Sequence, residues 1–187
     1  SEHMKKKIDE NGLILGIDLG TTYSCASIMI DKNIVIIRNS LGSTTTPSFI
    51  AFMNKNEVYV GELAKLLPSN AKNIIYNTKR LIGKNIDDKE IKEIIKNLPF
   101  NLKEDKESKL LKIELDFNDK KEKETNINDK MSEGSKSRRK KTEDTKEDKE
   151  EFYPEQICAL ILKKIIKDSE FYLSKKIGKN IEIKNCV

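Results

Sequence analysis

The sequence predicts a mixed α/β protein built of short strands and few helices. Two observations carry that reading. Residues 13–60 are a succession of short apolar, β-branched runs separated by polar or Gly-containing breaks, the pattern of consecutive strands. Residues 158–173 place Cys158, Ile161, Leu162, Ile165, Ser169, Tyr172 and Leu173 three and four residues apart, the pattern of one buried helical stripe. A third observation divides the two: residues 119–150 hold only Ile127 and Met131 as large apolar side chains.

The first four residues, Ser1-Glu2-His3-Met4, read as a vector scar ahead of a native Met start and stand outside the fold argument. With them goes His3, the only histidine, so a Ser-His-Asp triad, a Cys-His pair and a His-ligated zinc site are excluded by composition. Strands are predicted over 13–19, 23–30, 34–37, 49–52 and 58–60. Asp31-Lys32-Asn33 is the expected turn of one hairpin, and Gly20-Thr21-Thr22 a tight polar turn that closes the first. Residues 61–67 form a short helix stopped by Pro68. Asp87-Asp88 cap a second helix over 89–96, with Ile91, Ile94 and Ile95 inward and Pro99 beyond its end. Leu110, Ile113, Leu115 and Phe117 suggest a strand of imperfect alternation.

Segment 119–150 carries 21 charged residues in 32, 11 basic and 10 acidic. It cannot bury enough surface to offset its ordering entropy, and disorder is expected. Order resumes at Phe152-Tyr153-Pro154, where Pro at a first-turn position and Glu155 near the positive end of the dipole start a helix of about five or six turns. Gly178 follows it. Ile181 and Ile183 then alternate with polar residues, so a last strand is expected to begin before Val187.

Lys plus Arg number 36 against 31 Asp plus Glu, and the resulting +5 is small beside so many charges of both signs. It does not argue for nucleic acid. The run Lys136-Ser137-Arg138-Arg139-Lys140-Lys141 sits among nearly balancing acids with no aromatic residue for base stacking, and reads as a solvated low-complexity stretch. Cys25, Cys158 and Cys186 are odd in number, far apart and without a C-x-x-C pair, which fits a reducing compartment. No apolar run has the length to span a bilayer, and Lys5-Lys6-Lys7 lack a following signal-type core; a soluble, cytoplasmic protein with no membrane partner is expected.

The stretch most specific for chemistry is Gly16-Ile17-Asp18-Leu19-Gly20-Thr21-Thr22-Tyr23-Ser24. Asp18 closes a strand, and the turn after it offers successive backbone N–H groups, two hydroxyls and a Gly that lets the backbone approach a phosphate. A carboxylate there suits Mg²⁺, which keeps several waters and takes only one or two carboxylates. The stretch is a phosphate-binding hairpin and not a P-loop, because there is no G-x-x-x-x-G-K-[ST] and a strand follows.

With three further segments, Thr45-Thr46-Pro47-Ser48 before Phe49-Ile50-Ala51-Phe52, Thr78-Lys79-Arg80-Leu81-Ile82-Gly83, and Phe152-Tyr153-Pro154-Glu155, the chain resembles the seventy-kilodalton heat-shock (DnaK-type) chaperones. The segments stand in the family's order and spacing, over about 13–118 and 152–187. The resemblance implies the first part of a nucleotide-binding domain of actin-like, ribonuclease-H-like α/β fold over 5–187, an incomplete first lobe. Gly20, Thr21, Thr22 and Tyr23 match the first phosphate-binding loop, and Asp18 the carboxylate near the metal. Thr45 matches the hydroxyl near the γ-phosphate, and Lys79 the lysine required for hydrolysis, with Arg80 its structural neighbour. ATP or ADP with Mg²⁺ are the implied cofactors; unfolded peptides and co-chaperones are the implied partners of the full-length protein. Asn77 stands where many relatives have Asp, and Thr44 where they usually have Arg. Relative to the family, the charged segment is an insertion of roughly 25 residues in a surface loop, where extra length costs little.

The second lobe that would complete the site lies beyond this stretch of the family's sequence, so the chain alone is expected to bind ATP weakly or undetectably and to show no significant turnover. Its unpaired sheet edge near 181–187 is expected to promote self-association. Two other readings stand beside this one: a non-catalytic chaperone relative that binds co-chaperones, and a sugar or glycerol kinase of the same actin-like superfamily.

Overall fold

The computed structural model describes residues 13–30, 32–68, 73–117 and 148–187. Asp31 of the expected hairpin turn and almost all of the charged segment lie outside these residues.

The first sheet is nucleated by the hairpin of β1 (Ile14–Asp18) and β2 (Tyr23–Ile30), in which Leu15 faces Ile28 and Asp18 faces Cys25. The period of two is plain in β2: Ser24, Ala26, Ile28 and Ile30 are buried while Met29 is exposed. β3 (Asn33–Ile36) pairs with β2 through Ile30 and Asn33, and Lys32 takes the left-handed φ of 65° that so tight a reversal demands. A two-residue bridge, β4 (Thr46–Pro47), pairs with the start of β2, at Tyr23 and Ser24.

A second sheet has the order β6-β5-β7, with β5 (Ile50–Asn54) central between β6 (Glu57–Val60) and the short β7 (Ile74–Ile75). A third has the order β10-β9-β8, with β8 (Asn101–Glu104), β9 (Leu111–Asp116) and β10 (Lys149–Phe152). β10 corrects one expectation, because Lys149 and Glu150, the last two positions of the segment expected to be disordered, are strand. Cross-strand ion pairs make that possible: Glu114 of β9, only 6% exposed, pairs with Lys103 and, at 3.9 Å, with Lys149, while Glu151 lies 3.2 Å from Lys103. The imperfect alternation expected of this strand comes from Leu110, which precedes β9; the buried apolar positions Leu111, Ile113 and Leu115 alternate regularly.

Two short helices, α1 (Glu62–Lys65) and α2 (Lys89–Ile94), fall where expected, and α2 tightens into a 3₁₀ turn over Ile95–Asn97. Asp88 occupies the cap position of α2, yet its carboxylate accepts from the Asn85 N–H at 3.0 Å and not from the helix. The long helix α3 (Pro154–Ile177) has 24 residues, more than six turns. It begins with Pro154 at its first position and with the Gln156 side chain accepting the Tyr153 N–H at 2.8 Å, and it stops at Gly178, whose φ of 81° is left-handed. Its stripe Ile157, Ile161, Ile165, Leu173 and Ile177 packs into one core with Leu15 and Ile28 of the first sheet, Ile50 and Ile75 of the second and Ile113 of the third. Each such side chain taken from water contributes about 1.5–3 kcal/mol, so α3 is the spine that joins the three sheets.

The final strand differs from expectation. Ile181 and Ile183 precede it, and β11 is Asn185–Cys186, parallel to β1 at the edge of a sheet ordered β11-β1-β2-β3. The reason is where the backbone amides go. The Ile181 N–H donates to Ser174 Oγ at 2.9 Å and the Ile183 N–H to Glu170 Oε1 at 3.0 Å, so side chains of α3 hold this segment before it can join the ladder.

Candidate functional site

The turn between β1 and β2 is shaped by Gly20. A Cβ on Gly20 would lie 2.0 Å from the Tyr23 carbonyl oxygen, so no other residue fits while the turn keeps this conformation. The turn is fastened from within. The Gly20 N–H donates to Ser24 Oγ at 3.2 Å, Ser48 Oγ donates to the Gly20 carbonyl at 2.8 Å, and the two hydroxyls lie 3.0 Å apart. The Ser48 N–H donates to the Thr22 carbonyl at 2.9 Å. Among the described residues the Thr21 and Thr22 amides have no hydrogen-bond partner.

Lys79 arrives from far along the chain. Asn77 adopts a φ of 59°, a left-handed conformation that Asn tolerates better than most residues, and starts a 3₁₀ turn over Thr78–Arg80. Buried Thr78 anchors that turn by its hydroxyl, 3.3 Å from Cys158 Sγ of α3. Lys79 is thereby left exposed, and its Nζ donates to the Leu19 carbonyl at 2.6 Å. Burial pushes the Cys158 thiol above its ordinary pKa, against a smaller opposing effect of the Thr78 hydroxyl, so the anchor is uncharged at neutral pH.

Thr45 is exposed on a loop that Asn39 organises. Asn39 Oδ1 accepts from the Leu41 and Ser43 amides at 3.1 and 3.0 Å, and Nδ2 donates to the Thr45 carbonyl at 3.3 Å and to Glu62 Oε1 of α1 at 2.7 Å. Thr45 shares a surface depression of about 440 Å³ with Tyr23, Pro47, Glu62 and Lys65. Lys65 Nζ donates to the Tyr23 hydroxyl at 2.5 Å, so α1 holds both the Thr45 loop and the first residue of β2.

The structure therefore brings Asp18, Gly20, Thr21, Thr22 and Lys79 to one place and sets Thr45 next to Tyr23 on its flank; no contact joins Thr45 to Lys79 among the described residues. The Gly20 N–H is committed to Ser24, so what Gly20 contributes to the turn is the missing side chain. Asp18 sits exposed at the end of β1. Among the described residues no three acidic, Cys or His side chains converge. Mg²⁺ bound through phosphates and water needs no such cage, and an exposed carboxylate such as Asp18 beside a turn with two free amides fits it. Chemically, two free amides and one ammonium make a receptor for an anion.

Sequence reasoning gave no role to Ser24, Ser48, Asn39 or Lys65. For Ser24 a signal existed: it falls in phase with Ala26, Ile28 and Ile30, so the strand period places its hydroxyl inside. Asn39 also acts locally, its Oδ1 accepting from amides two and four residues on, as Asn does in turns, whereas Ser48 and Lys65 act through contacts 28 and 42 residues away, which no local pattern encodes.

Among the described residues no helix is long and apolar enough to cross a membrane. The family model described as Hsp70 protein matches residues 14–136. Proteins named "Chaperone protein DnaK" from Burkholderia cenocepacia (strain HI2424), Burkholderia orbicola (strain MC0-3) and Burkholderia cepacia are each 47% identical over 92 residues, 49% of this chain. The aligned stretch is 14% of the length of each of those relatives. The matching family is that of the chaperones, which leaves the sugar or glycerol kinase reading without support. The chain belongs to the Hsp70 family.

Proposed function

We propose that this chain carries the first phosphate-binding half of the ATPase site of a heat-shock chaperone, within an actin-like nucleotide-binding domain. The observation that carries the proposal is the reach of Lys79 Nζ to the Leu19 carbonyl at 2.6 Å, which sets an ammonium against a turn whose Thr21 and Thr22 amides are free. In this reading the amides of Thr21 and Thr22 and their hydroxyls receive phosphate oxygens. Asp18 would hold Mg²⁺, which would screen the phosphate charge. Lys79 leaves the Leu19 carbonyl for the γ-phosphate, where a cation stabilises the charge of a loose transition state, and Thr45 stands on the flank nearest the attacking water. Nucleotide-driven capture of unfolded peptides, and regulation by co-chaperones, belong to the remainder of such a protein. Three free thiols support a reducing, cytoplasmic setting.

Catalysis by positioning needs groups on both sides of the nucleotide, and the described residues supply one side. The chain alone is accordingly a weak nucleotide binder without turnover. Titrating Mg-ADP into the 187-residue chain while following amide resonances tests this. Shifts centred on 20–23 and 78–80, with a dissociation constant of about 1 mM or weaker, are the expected result. Shifts confined to other regions would overturn the assignment. ATP turnover that Lys79→Ala abolishes would overturn the half-site reading.

A further inference from the structure

Ser24 and Ser48 are both buried, at 1% and 3% exposure, and neither has a role in the reading above. Each hydroxyl has one proton, which fixes the direction of their bonds. The proton of Ser48 goes to the Gly20 carbonyl, which can only accept. In the 3.0 Å contact between the hydroxyls Ser24 must then donate and Ser48 accept. Ser24 in turn accepts from the Gly20 N–H. The bonds close a ring that runs from the Gly20 amide through Ser24 and Ser48 to the Gly20 carbonyl, and members of such a buried chain polarise one another.

The ring settles which way the turn faces. The Gly20 and Thr22 carbonyls are drawn inward by the Ser48 hydroxyl and amide, and the Leu19 carbonyl is occupied by Lys79. The two carbonyls held by Ser48 stay engaged when Lys79 turns to a phosphate, while the amides of Thr21 and Thr22 are free to meet the anion. We infer that Ser48, with Ser24 behind it, is a positioning residue that turns this hairpin into a phosphate receptor by holding its carbonyls away from the anion. The inference rests on the phosphate-site reading and deepens it. Ser48→Ala frees the Gly20 carbonyl to swing toward the anion. Ser24→Ala frees only an N–H, which does not repel one. The two variants lose comparable buried contacts but should differ in binding.

The test is Mg-ADP titration of the unmodified chain, Ser48→Ala, Ser24→Ala and Ser48→Thr, read by the Thr21 and Thr22 amide resonances, with thermal melting of each. Ser48→Ala should weaken binding about tenfold, the effect of one hydrogen bond of ordinary strength. Ser24→Ala should weaken it less, and Ser48→Thr, which keeps the hydroxyl, should recover most of the loss. Affinities that follow melting temperature and not this order, or equal affinity in Ser48→Ala and the unmodified chain, overturn the inference and leave the proposed function standing. No response of the unmodified chain overturns the proposed function and the inference with it. Should Ser48→Ala not fold, the inference is decided by Ser24→Ala and Ser48→Thr: both must bind within threefold of the unmodified chain, a bound well inside the tenfold effect above, and a larger loss in either refutes it.

Discussion

Gly20→Ala is the sharpest perturbation the site offers. The new Cβ would lie 2.0 Å from the Tyr23 carbonyl oxygen and 3.2 Å from its carbon, and nothing nearer than about 3.0 Å is tolerated, so the turn must open by about 1 Å. Tyr23 cannot give way cheaply, since it is paired with Pro47 and its hydroxyl is held by Lys65. Gly20 cannot either, because its amide and carbonyl are both in the serine ring. Opening the turn forfeits two hydrogen bonds worth about 1 kcal/mol each and adds overpacking of about 1–3 kcal/mol. A total of about 3–5 kcal/mol corresponds to a fall in melting temperature of about 6–20 °C for a chain of this size. Calorimetry or circular dichroism reads the fall, and the Thr21 and Thr22 amide resonances should move with it. A variant that melts within about 2 °C of the parent, with those resonances in place, would show that the turn does not have this shape in solution.

Tyr153→Phe removes the hydroxyl that donates to Asp105 at 2.7 Å, the largest of the causes that hold the Asp105 carboxyl well below the usual carboxylate range. A depressed folded pKa stabilises above the unfolded value and fades as pH falls through it, so the stability gap between parent and variant should be full at pH 7 and shrink below about pH 4; a gap independent of pH in urea denaturation refutes it. Cys186 is exposed and Cys158 buried with a raised pKa, so a maleimide at pH 8 should label Cys186 long before Cys158 by mass spectrometry; equal rates would show that the Thr78 anchor is open. Lys79→Ala breaks one exposed contact and should cost less than about 1 kcal/mol of stability while weakening the response to Mg-ATP and sparing that of the Thr21 and Thr22 amides to Mg-ADP; a large loss of stability would make Lys79 a structural residue. The outer edge of β11 is unpaired among the described residues, and sedimentation of the chain should reveal concentration-dependent association, which a monomer at all concentrations would refute.

Much of the fold was legible because period and punctuation are local. Alternation in β2, the three-and-four spacing of α3, Pro154 at its start and Gly178 at its end each bear on a few neighbouring residues. Elements that exist only through a partner were not legible. β4 and β7 are two residues long and acquire strand geometry from β2 and β5, and β10 is a charged stretch made into a strand by Glu114 and its lysines. The register of the last strand was missed for the same reason, since Ser174 and Glu170 of α3 capture amides that local alternation assigns to a ladder. At the site, the motifs located Asp18, the turn and Lys79, while their spatial meeting and the serines that orient the turn lie in contacts across 24 to 60 residues.

The contact between Lys79 and Leu19 also bears on how such a half-site behaves when no anion is present. An ammonium facing free amides with no acceptor would repel the positive ends of the N–H dipoles, and the turn would be driven apart. With the Leu19 carbonyl as its acceptor at 2.6 Å, Lys79 is held near the turn yet occupied by a weak, neutral partner. The bond to Leu19 is already charge-assisted by the ammonium, and a phosphate oxygen adds an opposite charge that the neutral carbonyl lacks. The exchange of carbonyl for phosphate is therefore downhill and needs only a rotation of the exposed lysine side chain, because Thr78 keeps its backbone on Cys158 throughout. In the proposed function the site would thus be preorganised in its backbone and adjustable in one side chain, with specificity for anions assigned to the turn and the response to a γ-phosphate to Lys79.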